Sequence, residues 1–327
     1  MRASKFAISL LLVSAIITSN GATQTPRASG SVTPVKSPYN GTTLEGSIPP
    51  GKNFDIAQFR FWYPDNVETL RGIVLLVPGS NGDGRASAQD TVWQAFAVKN
   101  KLALVACYFK DKQHDQNFIE EYIKVSEGSG DALLSAINTF AQQSKHAELS
   151  TAPMLLWGMS AGGQFNYEFV AWKPERVIAF VVNKGGIYYS ALLSKASRAV
   201  PGVLFVGGKD LEFRTNTIVG LFAVNRRGGA LWALSEEPGA AHIVGKSRDL
   251  AIPFYEDVMA ARLPASPGPL IPMPEKPAFI GDFKTKTFAP NGDGPAPGFP
   301  TAWLPTERVA RAWQAILTEQ PLPQNPR

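Results

Sequence analysis

The chain has 327 residues, of which 44% are apolar and 18% are charged, and it contains one cysteine and three histidines. This composition is typical of a globular protein and excludes collagen-like, coiled-coil and fully disordered chains. Because Cys107 is alone, an internal disulfide and a zinc site of four cysteines are both excluded. The formal net charge is +5, but the basic residues are spread along the chain, so we expect no nucleic-acid partner.

Residues 1–22 have the pattern of a secretory signal peptide. Arg2 and Lys5 precede an apolar run over residues 6–17, and small residues follow at 19–22. The run is shorter than the roughly 20 residues that a membrane-spanning helix needs. Since disulfides are also missing, we expect a secreted or periplasmic bacterial protein with no stable membrane insertion after cleavage.

The composition changes twice after the signal region. Residues 23–50 are rich in Thr, Ser, Pro and Gly, which predicts a flexible leader. Apolar runs then predict strands at residues 59–63, 72–78, 102–108, 154–157, 177–182, 203–206 and 230–234. Helical spacing predicts helices at residues 88–100, 131–143, 161–172, 217–225 and 252–263. This alternation predicts one α/β domain over residues 51–263, with a mostly parallel central sheet and helices on both faces.

The C-terminal segment, residues 264–327, breaks this alternation. It holds fourteen of the 26 prolines, which excludes regular structure over most of its length. Val309, Trp313 and Leu317 recur at fourfold spacing and predict a short helix over residues 306–317. We expect a proline-rich appendage whose helix packs on the main domain, rather than a second domain.

Ser160 is the candidate nucleophile. It is the central residue of the Gly-Met-Ser-Ala-Gly sequence at 158–162, which lies between a predicted buried strand and a predicted helix. A Gly-x-Ser-x-Gly sequence in a strand-turn-helix context is typical of a nucleophile elbow, in which a tight turn projects the hydroxyl from the sheet. The alternative is a glycine-rich strand–helix turn without chemistry.

His242 is the candidate general base, because histidine is the usual base near neutral pH. It lies in a small-residue loop beyond the strand at 230–234, at a carboxyl end where ligands bind to open α/β sheets. His114 lies in a polar stretch and His146 in a charged loop. We interpret those two as solvated loop residues.

Asp210 is the candidate acid that orients the base. It follows the strand at 203–206, again at a carboxyl end, and it completes the order serine, acid, histidine that α/β-hydrolases show. Glu212 competes for this role, and Glu236 and Glu237 are weaker competitors. A solvated turn residue is the alternative for Asp210.

An oxyanion hole needs two backbone N–H donors. Ala161, directly after the candidate nucleophile, is one candidate, and Ser80 or Asn81 in the glycine-rich loop 79–84 is the other. The Asn-Gly-Asp-Gly sequences at 81–84 and 291–294 lack a complete calcium-ligand pattern. We expect neither a metal nor an organic cofactor.

On these residues the chain resembles the α/β-hydrolase superfamily from about residue 54 to residue 263. The sequences Val-Pro-Gly-Ser at 77–80 and Gly-Met-Ser-Ala-Gly-Gly at 158–163 resemble secreted bacterial esterases related to poly(3-hydroxybutyrate) depolymerases, feruloyl esterases and dienelactone hydrolases. Pro78 stands where many of these relatives have a histidine. Secreted depolymerases of the group often carry disulfides and a separate polymer-binding domain, neither of which the sequence indicates here.

The resemblance and the three candidate residues predict a secreted serine hydrolase that cleaves carboxylic esters through an acyl-enzyme. Its partner would be a small-molecule or oligomeric ester. Peptidase or amidase activity on the same triad is one alternative, and an inactive binding protein on a hydrolase scaffold is another. The interval 183–202, where caps are usually inserted, has too few residues for a large lid.

Overall fold

The central sheet has eight strands. The computed structural model describes residues 37–116, 119–266, 268–293 and 298–323, so the expected signal peptide lies outside the described residues. The strands are β1 (Gly41–Ile48), β2 (Ile56–Pro64), β3 (Gly72–Val77), β4 (Leu102–Lys110), β5 (Met154–Gly158), β6 (Val177–Asn183), β7 (Gly202–Gly207) and β8 (Trp232–Glu237). Their spatial order is β1-β2-β4-β3-β5-β6-β7-β8. β2 is antiparallel to both neighbours, and every pairing from β4 to β8 is parallel, so the mostly parallel sheet is confirmed.

Helices cover both faces of this sheet, as predicted. They are α1 (Thr91–Asn100), α2 (Ser129–Ser144), α3 (Ala161–Trp172), α4 (Lys195–Arg198), α5 (Glu212–Arg227), α6 (Ser247–Arg262) and α7 (Glu307–Leu317). Alternate residues of β3 enter two separate cores. Ile73, Leu75 and Val77 pack with α2, α3 and α5, whereas Val74 and Leu76 pack with α1, α6 and α7. A strand buried on both faces needs a continuous apolar run, which is why the predicted strands were recognisable.

The expected flexible leader is wrong for residues 41–48, which form β1. This strand pairs with β2 along its whole length at the edge of the sheet. Only Leu44 and Ile48 pack against the core, and a Cβ on Gly46 would lie 2.8 Å from the ring of Phe140. An edge strand tolerates polar and small residues, because one side faces solvent. Its composition therefore resembles that of a loop.

The C-terminal segment is more ordered than its proline content indicates. Three short strands, β9 (Phe279–Asp282), β10 (Thr287–Pro290) and β11 (Thr301–Leu304), form a second antiparallel sheet. The predicted helix is confirmed as α7. Trp303 and Trp313 are fully buried, and the Trp313 indole N–H donates to the carbonyl of Leu234 on β8. The segment thus completes one of the two main cores and is not merely an appendage.

Candidate active site

The predicted site residues lie on loops that leave the sheet at one edge. Ser160 follows β5, Asp210 lies beyond β7 and His242 lies beyond β8, while Ser80 belongs to the loop after β3. Because these four strands are parallel, their carboxyl ends meet at the same edge, where open α/β sheets bind ligands. The sheet thereby gathers residues that are far apart in the chain.

Ser160 is held on a strained turn between β5 and α3. Its φ of 56° and ψ of −124° are unusual for a residue with a side chain, and such a conformation costs about 1–3 kcal/mol. A Cβ on Gly158 would lie 2.4 Å from the backbone of Gly162, and one on Gly162 would lie 2.1 Å from the carbonyl oxygen of Val77. Both glycines are therefore required for close approach. The Ser160 N–H donates to the Asn183 carbonyl at 2.7 Å and anchors the turn to β6.

Ser160, His242 and Asp210 form one hydrogen-bonded chain. His242 Nε2 lies 3.0 Å from Ser160 Oγ, and His242 Nδ1 lies 2.7 Å from Asp210 Oδ2. A carboxylate only accepts hydrogen bonds, so Nδ1 carries the proton and donates it to Asp210. In the neutral imidazole, Nε2 is then the acceptor for the Ser160 hydroxyl.

The environment of Asp210 favours its ionised form. Its side chain is 2% exposed, and burial alone would raise its pKa. Hydrogen bonds outweigh this effect and hold the pKa of Asp210 below its ordinary value of 3.8. The carboxylate accepts from His242, from the Leu211 N–H at 2.7 Å and from Arg214 Nη1 at 3.2 Å. A negative charge therefore remains behind the imidazole at neutral pH.

A serine on a strained turn after a buried parallel strand, with an acid and a histidine beyond later strands, is the arrangement of α/β-hydrolases. The chain has the α/β-hydrolase fold. No family model matches the chain, and no curated protein matches it.

Three solved structures illustrate the likeness. A ferulic acid esterase is 10% identical with a TM-score of 0.49, and the match covers 67% of this chain and 99% of that one. An esterase from Pyrococcus furiosus is 15% identical with a TM-score of 0.46, covering 72% and 97% of the two chains. A poly(3-hydroxybutyrate) depolymerase from Bordetella parapertussis is 17% identical with a TM-score of 0.46, covering 70% and 92%. Such distant likeness says nothing about the substrate of this hydrolase-fold chain.

The other two histidines also face carboxylates but lie elsewhere. His114 Nε2 lies 3.1 Å from Asp111, and His146 Nδ1 lies 2.9 Å from Glu148. His146 is largely buried against the ring of Tyr63, so its interpretation as a solvated residue is wrong. Within the described ranges, neither imidazole has a serine hydroxyl on its other nitrogen, which distinguishes both from His242.

The competing acids have other positions. Glu212 is exposed at the start of α5, and Glu236 lies on β8. Glu237 forms an ion pair with Lys184 at 2.7 Å. Asp210 is therefore the carboxylate that reaches the imidazole of His242.

The candidate oxyanion donors are reduced to two. The Asn81 N–H donates to the hydroxyl of Tyr122 at 3.3 Å, so Asn81 is wrong as a free donor. The N–H groups of Ser80 and Ala161 have no hydrogen-bond acceptor among the described residues. A Cβ on Gly79 would lie 3.6 Å from Ser160 Cβ, so the loop that carries Ser80 passes beside the serine. Ser80 and Ala161 remain the candidate pair.

A cleft of about 40 Å³ opens beside Ser160. Its walls are Ser80, Glu120, Ser160, Gln164, Gly186, Ile187, Phe213 and Arg214. Gln164 Oε1 accepts from the Gly186 N–H, whereas Gln164 Nε2 is buried without an acceptor in the described part of the chain. Glu120 is also buried and has no hydrogen-bond or ion-pair partner within the described ranges. The cleft wall therefore contains one carboxylate, Glu120, without such a partner, whereas Gln164 Nε2 is already shielded from solvent.

A larger cavity of about 650 Å³ lies at the opposite edge of the sheet. Arg71, Lys101 and Pro153, which precede β3, β4 and β5, contribute to its walls. Ligands of open α/β sheets bind at the carboxyl edge instead. The smaller cleft at Ser160 is therefore the candidate site.

A buried hydrogen-bond network around Lys184 lies behind the site and was not predicted from the sequence. Lys184 directly follows β6, is fully buried, and donates to Glu237 at 2.7 Å and to Asn183 Oδ1 at 3.0 Å. Glu237 Oε2 accepts from the Lys246 N–H, and Asn183 Nδ2 donates to the Val244 carbonyl at 2.9 Å. These bonds hold both sides of the loop that carries the candidate base. The signal in the sequence was a polar pair, Asn183 and Lys184, directly after the apolar run 177–182.

Neither a metal centre nor a membrane span is found in the part of the chain that the structure describes. No group of three or more His, Cys, Asp or Glu side chains there could hold a metal ion. No helix in the same ranges has the length and apolar character to cross a membrane.

Proposed function

We propose that this protein is a serine hydrolase that cleaves carboxylic esters. The observation that carries the proposal is the continuous hydrogen-bonded chain from Ser160 Oγ through His242 to Asp210 at the carboxyl edge of the sheet. A nucleophile whose base is oriented by a buried carboxylate is the arrangement that acyl transfer needs. The backbone N–H groups of Ser80 and Ala161 beside the serine would form the oxyanion hole.

In the first half-reaction, Ser160 Oγ attacks the acyl carbon while its proton passes to His242 Nε2. The carbonyl bond opens to an oxyanion, which accepts hydrogen bonds from the N–H groups of Ser80 and Ala161. The bond between the acyl carbon and the alkoxy oxygen then breaks, and that oxygen takes the proton from Nε2. Asp210 remains ionised throughout and stabilises the imidazolium.

In the second half-reaction, water attacks the acyl-enzyme and gives a proton to His242. The new tetrahedral intermediate collapses, its bond to Ser160 Oγ breaks, and the serine recovers its proton from the imidazolium. The acid leaves as product. No step of this sequence uses a metal or an organic cofactor.

The size of the cleft supports short acyl groups. Its volume of about 40 Å³ holds a small acyl group, whereas an extended alkyl chain would have to leave the cleft. Between β6 and β7, the only helix in the described residues is the four-residue α4, so no large lid covers the serine there. Small-molecule or oligomeric esters are the proposed substrates.

Export is proposed from the sequence of residues 1–22, which lie outside the described residues. N-terminal sequencing of the protein recovered from the periplasm or the culture medium tests this. A mature chain beginning near residue 23 is expected, and an uncleaved Met1 would contradict export through this signal.

Hydrolysis of p-nitrophenyl acetate, with Ser160→Ala as the decisive variant, tests the proposed activity. Ser160→Ala removes one hydroxyl, so turnover should vanish while the thermal melt stays near that of the wild type. The matched control is Ser235→Ala, which removes a buried hydroxyl on β8 that has no partner among the described residues. A serine-directed phosphonate should label Ser160 alone.

The alternatives give different results in the same experiment. Faster cleavage of matched p-nitroanilides than of the esters would favour a peptidase or amidase. A folded wild type that cleaves neither, and that the phosphonate does not label, would favour a binding protein. An active Ser160→Ala variant would refute the nucleophile.

A further inference from the structure

Two features beside Ser160 bear on the esters that fit this site. One is the small cleft, whose wall includes Glu120, a side chain that is 5% exposed and has no hydrogen-bond or ion-pair partner in the described residues. A long alkyl chain in this cleft would separate the Glu120 carboxylate from water without offering it a hydrogen bond, which is unfavourable. A short acyl group leaves room for water beside it.

The other feature is a group of large apolar side chains that follow the acid and the base in the chain. Leu211 and Phe213 follow Asp210, and Ile243 and Val244 follow His242. We name these four residues the apolar rim. Each is between 45 and 56% exposed. Because Asp210 and His242 are hydrogen-bonded, the two segments are neighbours, and neighbouring exposed apolar residues mark a binding surface more often than isolated ones do.

Proton transfer assigns the cleft and the rim to the two halves of an ester. The alkoxy oxygen must receive its proton from His242 Nε2, so the alcohol half leaves next to the imidazole and passes the apolar rim. His242 does not line the cleft, whereas Ser80, a candidate oxyanion donor, does. The acyl half therefore lies in the cleft.

We propose that this protein selects esters of a short acid with a longer apolar alcohol. The selectivity rests on the proposed esterase function, because it uses the same nucleophile and base. The alcohol chain lies over Leu211, Ile243 and Val244 and removes their apolar surface from water, which stabilises the complex in proportion to the area buried. Phe213, which lines the cleft and belongs to the rim, separates the two halves.

The test compares two isomeric esters, octyl acetate and ethyl octanoate, below their solubility limits. They have the same atoms and differ only in which half carries the long chain. We expect kcat/KM for octyl acetate to exceed that for ethyl octanoate by about tenfold or more, since several methylenes are buried on the rim in one case only. Equal rates, or faster hydrolysis of ethyl octanoate, would overturn the selectivity. A wild type without Ser160-dependent hydrolysis of p-nitrophenyl acetate would instead refute the esterase function itself.

Rim variants locate the effect. Ile243→Ser and Leu211→Ser should each lower the ratio of kcat/KM for octyl acetate to that for ethyl acetate by about threefold, through KM. The matched control is Ile271→Ser, because Ile271 is 48% exposed and lies outside the rim. It should keep the wild-type ratio. An unchanged ratio in both rim variants, or an equal fall in the control, would overturn the role of the rim.

Discussion

Replacing Lys184 by methionine should weaken both the fold and the candidate site. The ammonium group lies in the interior and is the cation that Glu237 contacts, at 2.7 Å. Methionine has a similar length but no charge, so the variant leaves the Glu237 carboxylate buried with the Lys246 N–H as its remaining donor. Asn183 and Glu237, whose side chains attach the loop bearing His242 to the sheet, would then lose the ammonium that contacts both of them.

The expected loss follows from the burial of the pair. Removing one partner of a buried ion pair costs about 3–5 kcal/mol, because the other charge stays in the interior. For a domain of this size, such a loss lowers Tm by about 10 °C. Glu237→Gln added to Lys184→Met removes the stranded charge while an amide oxygen can still accept from Lys246, so the double variant should recover part of the lost stability.

Thermal melting and ester hydrolysis at 20 °C measure the two effects separately. Lys246→Met is the matched control, because it makes the same substitution on an exposed side chain at the end of the loop that bears His242. Its Tm should change little. We expect Lys184→Met to lower kcat more than it raises KM, since the base is displaced and the cleft is intact. A Tm and a kcat within error of the control would refute this account of the buried pair. A double variant no more stable than Lys184→Met would refute the stranded charge as its cause.

Five further predictions concern the candidate site. His242→Ala should lower turnover by about four to six decades, whereas His114→Ala should stay within a few-fold of wild type; equal losses would require a different triad. Asp210→Asn should lower kcat by about two decades or more, because the amide no longer holds the productive tautomer. Because the pKa of Asp210 is lowered in the folded state, its ionised form stabilises the fold above the ordinary pKa of 3.8, and this contribution is lost as pH falls through the lower folded pKa; thermal melts from pH 7 to pH 3 should therefore fall more steeply for wild type than for Asp210→Asn. Ser80→Ala keeps the backbone N–H and should retain activity, whereas Ser80→Pro removes it and should lower kcat by about two decades at an unchanged melting temperature; equal activity of the two variants would exclude this donor. Tributyrin hydrolysis should rise hyperbolically with concentration and show no jump at the solubility limit, and a jump would reveal a mobile lid.

Local patterns in the sequence were enough to predict the parallel sheet, the helices on both faces and the turn at Ser160. A strand buried on both faces must be apolar throughout, so its pattern does not depend on which strands lie beside it. The turn at Ser160 needs Gly158 and Gly162 because of clashes within a few residues and with β3 next to it. Apolar runs and closely spaced glycines of this kind can therefore be recognised in the sequence without knowledge of the fold.

Only the tertiary structure decided between residues whose local patterns are alike. Asp210 lies just beyond one buried strand and Glu237 is the last residue of the next, but packing directs the first to His242 and pairs the second with Lys184. Asn81 was excluded as a free oxyanion donor by the hydroxyl of Tyr122, which is distant in sequence. Side-chain partners of this kind depend on which elements the sheet brings together, and a linear pattern does not encode that geometry.

The edge strand and the C-terminal segment show the same limit. β1 carries few large apolar residues, and its order comes from hydrogen bonds to β2 that any backbone can make. Trp303 and Trp313 lie in or beside proline-rich sequence, yet they are buried because the sheet and its helices leave an apolar surface for them to cover. The sequence alone determined the buried strands, the helices and the turn at Ser160, whose patterns are local. Tertiary packing decided that β1 and the C-terminal segment are ordered, because their burial depends on the surface of the neighbouring elements.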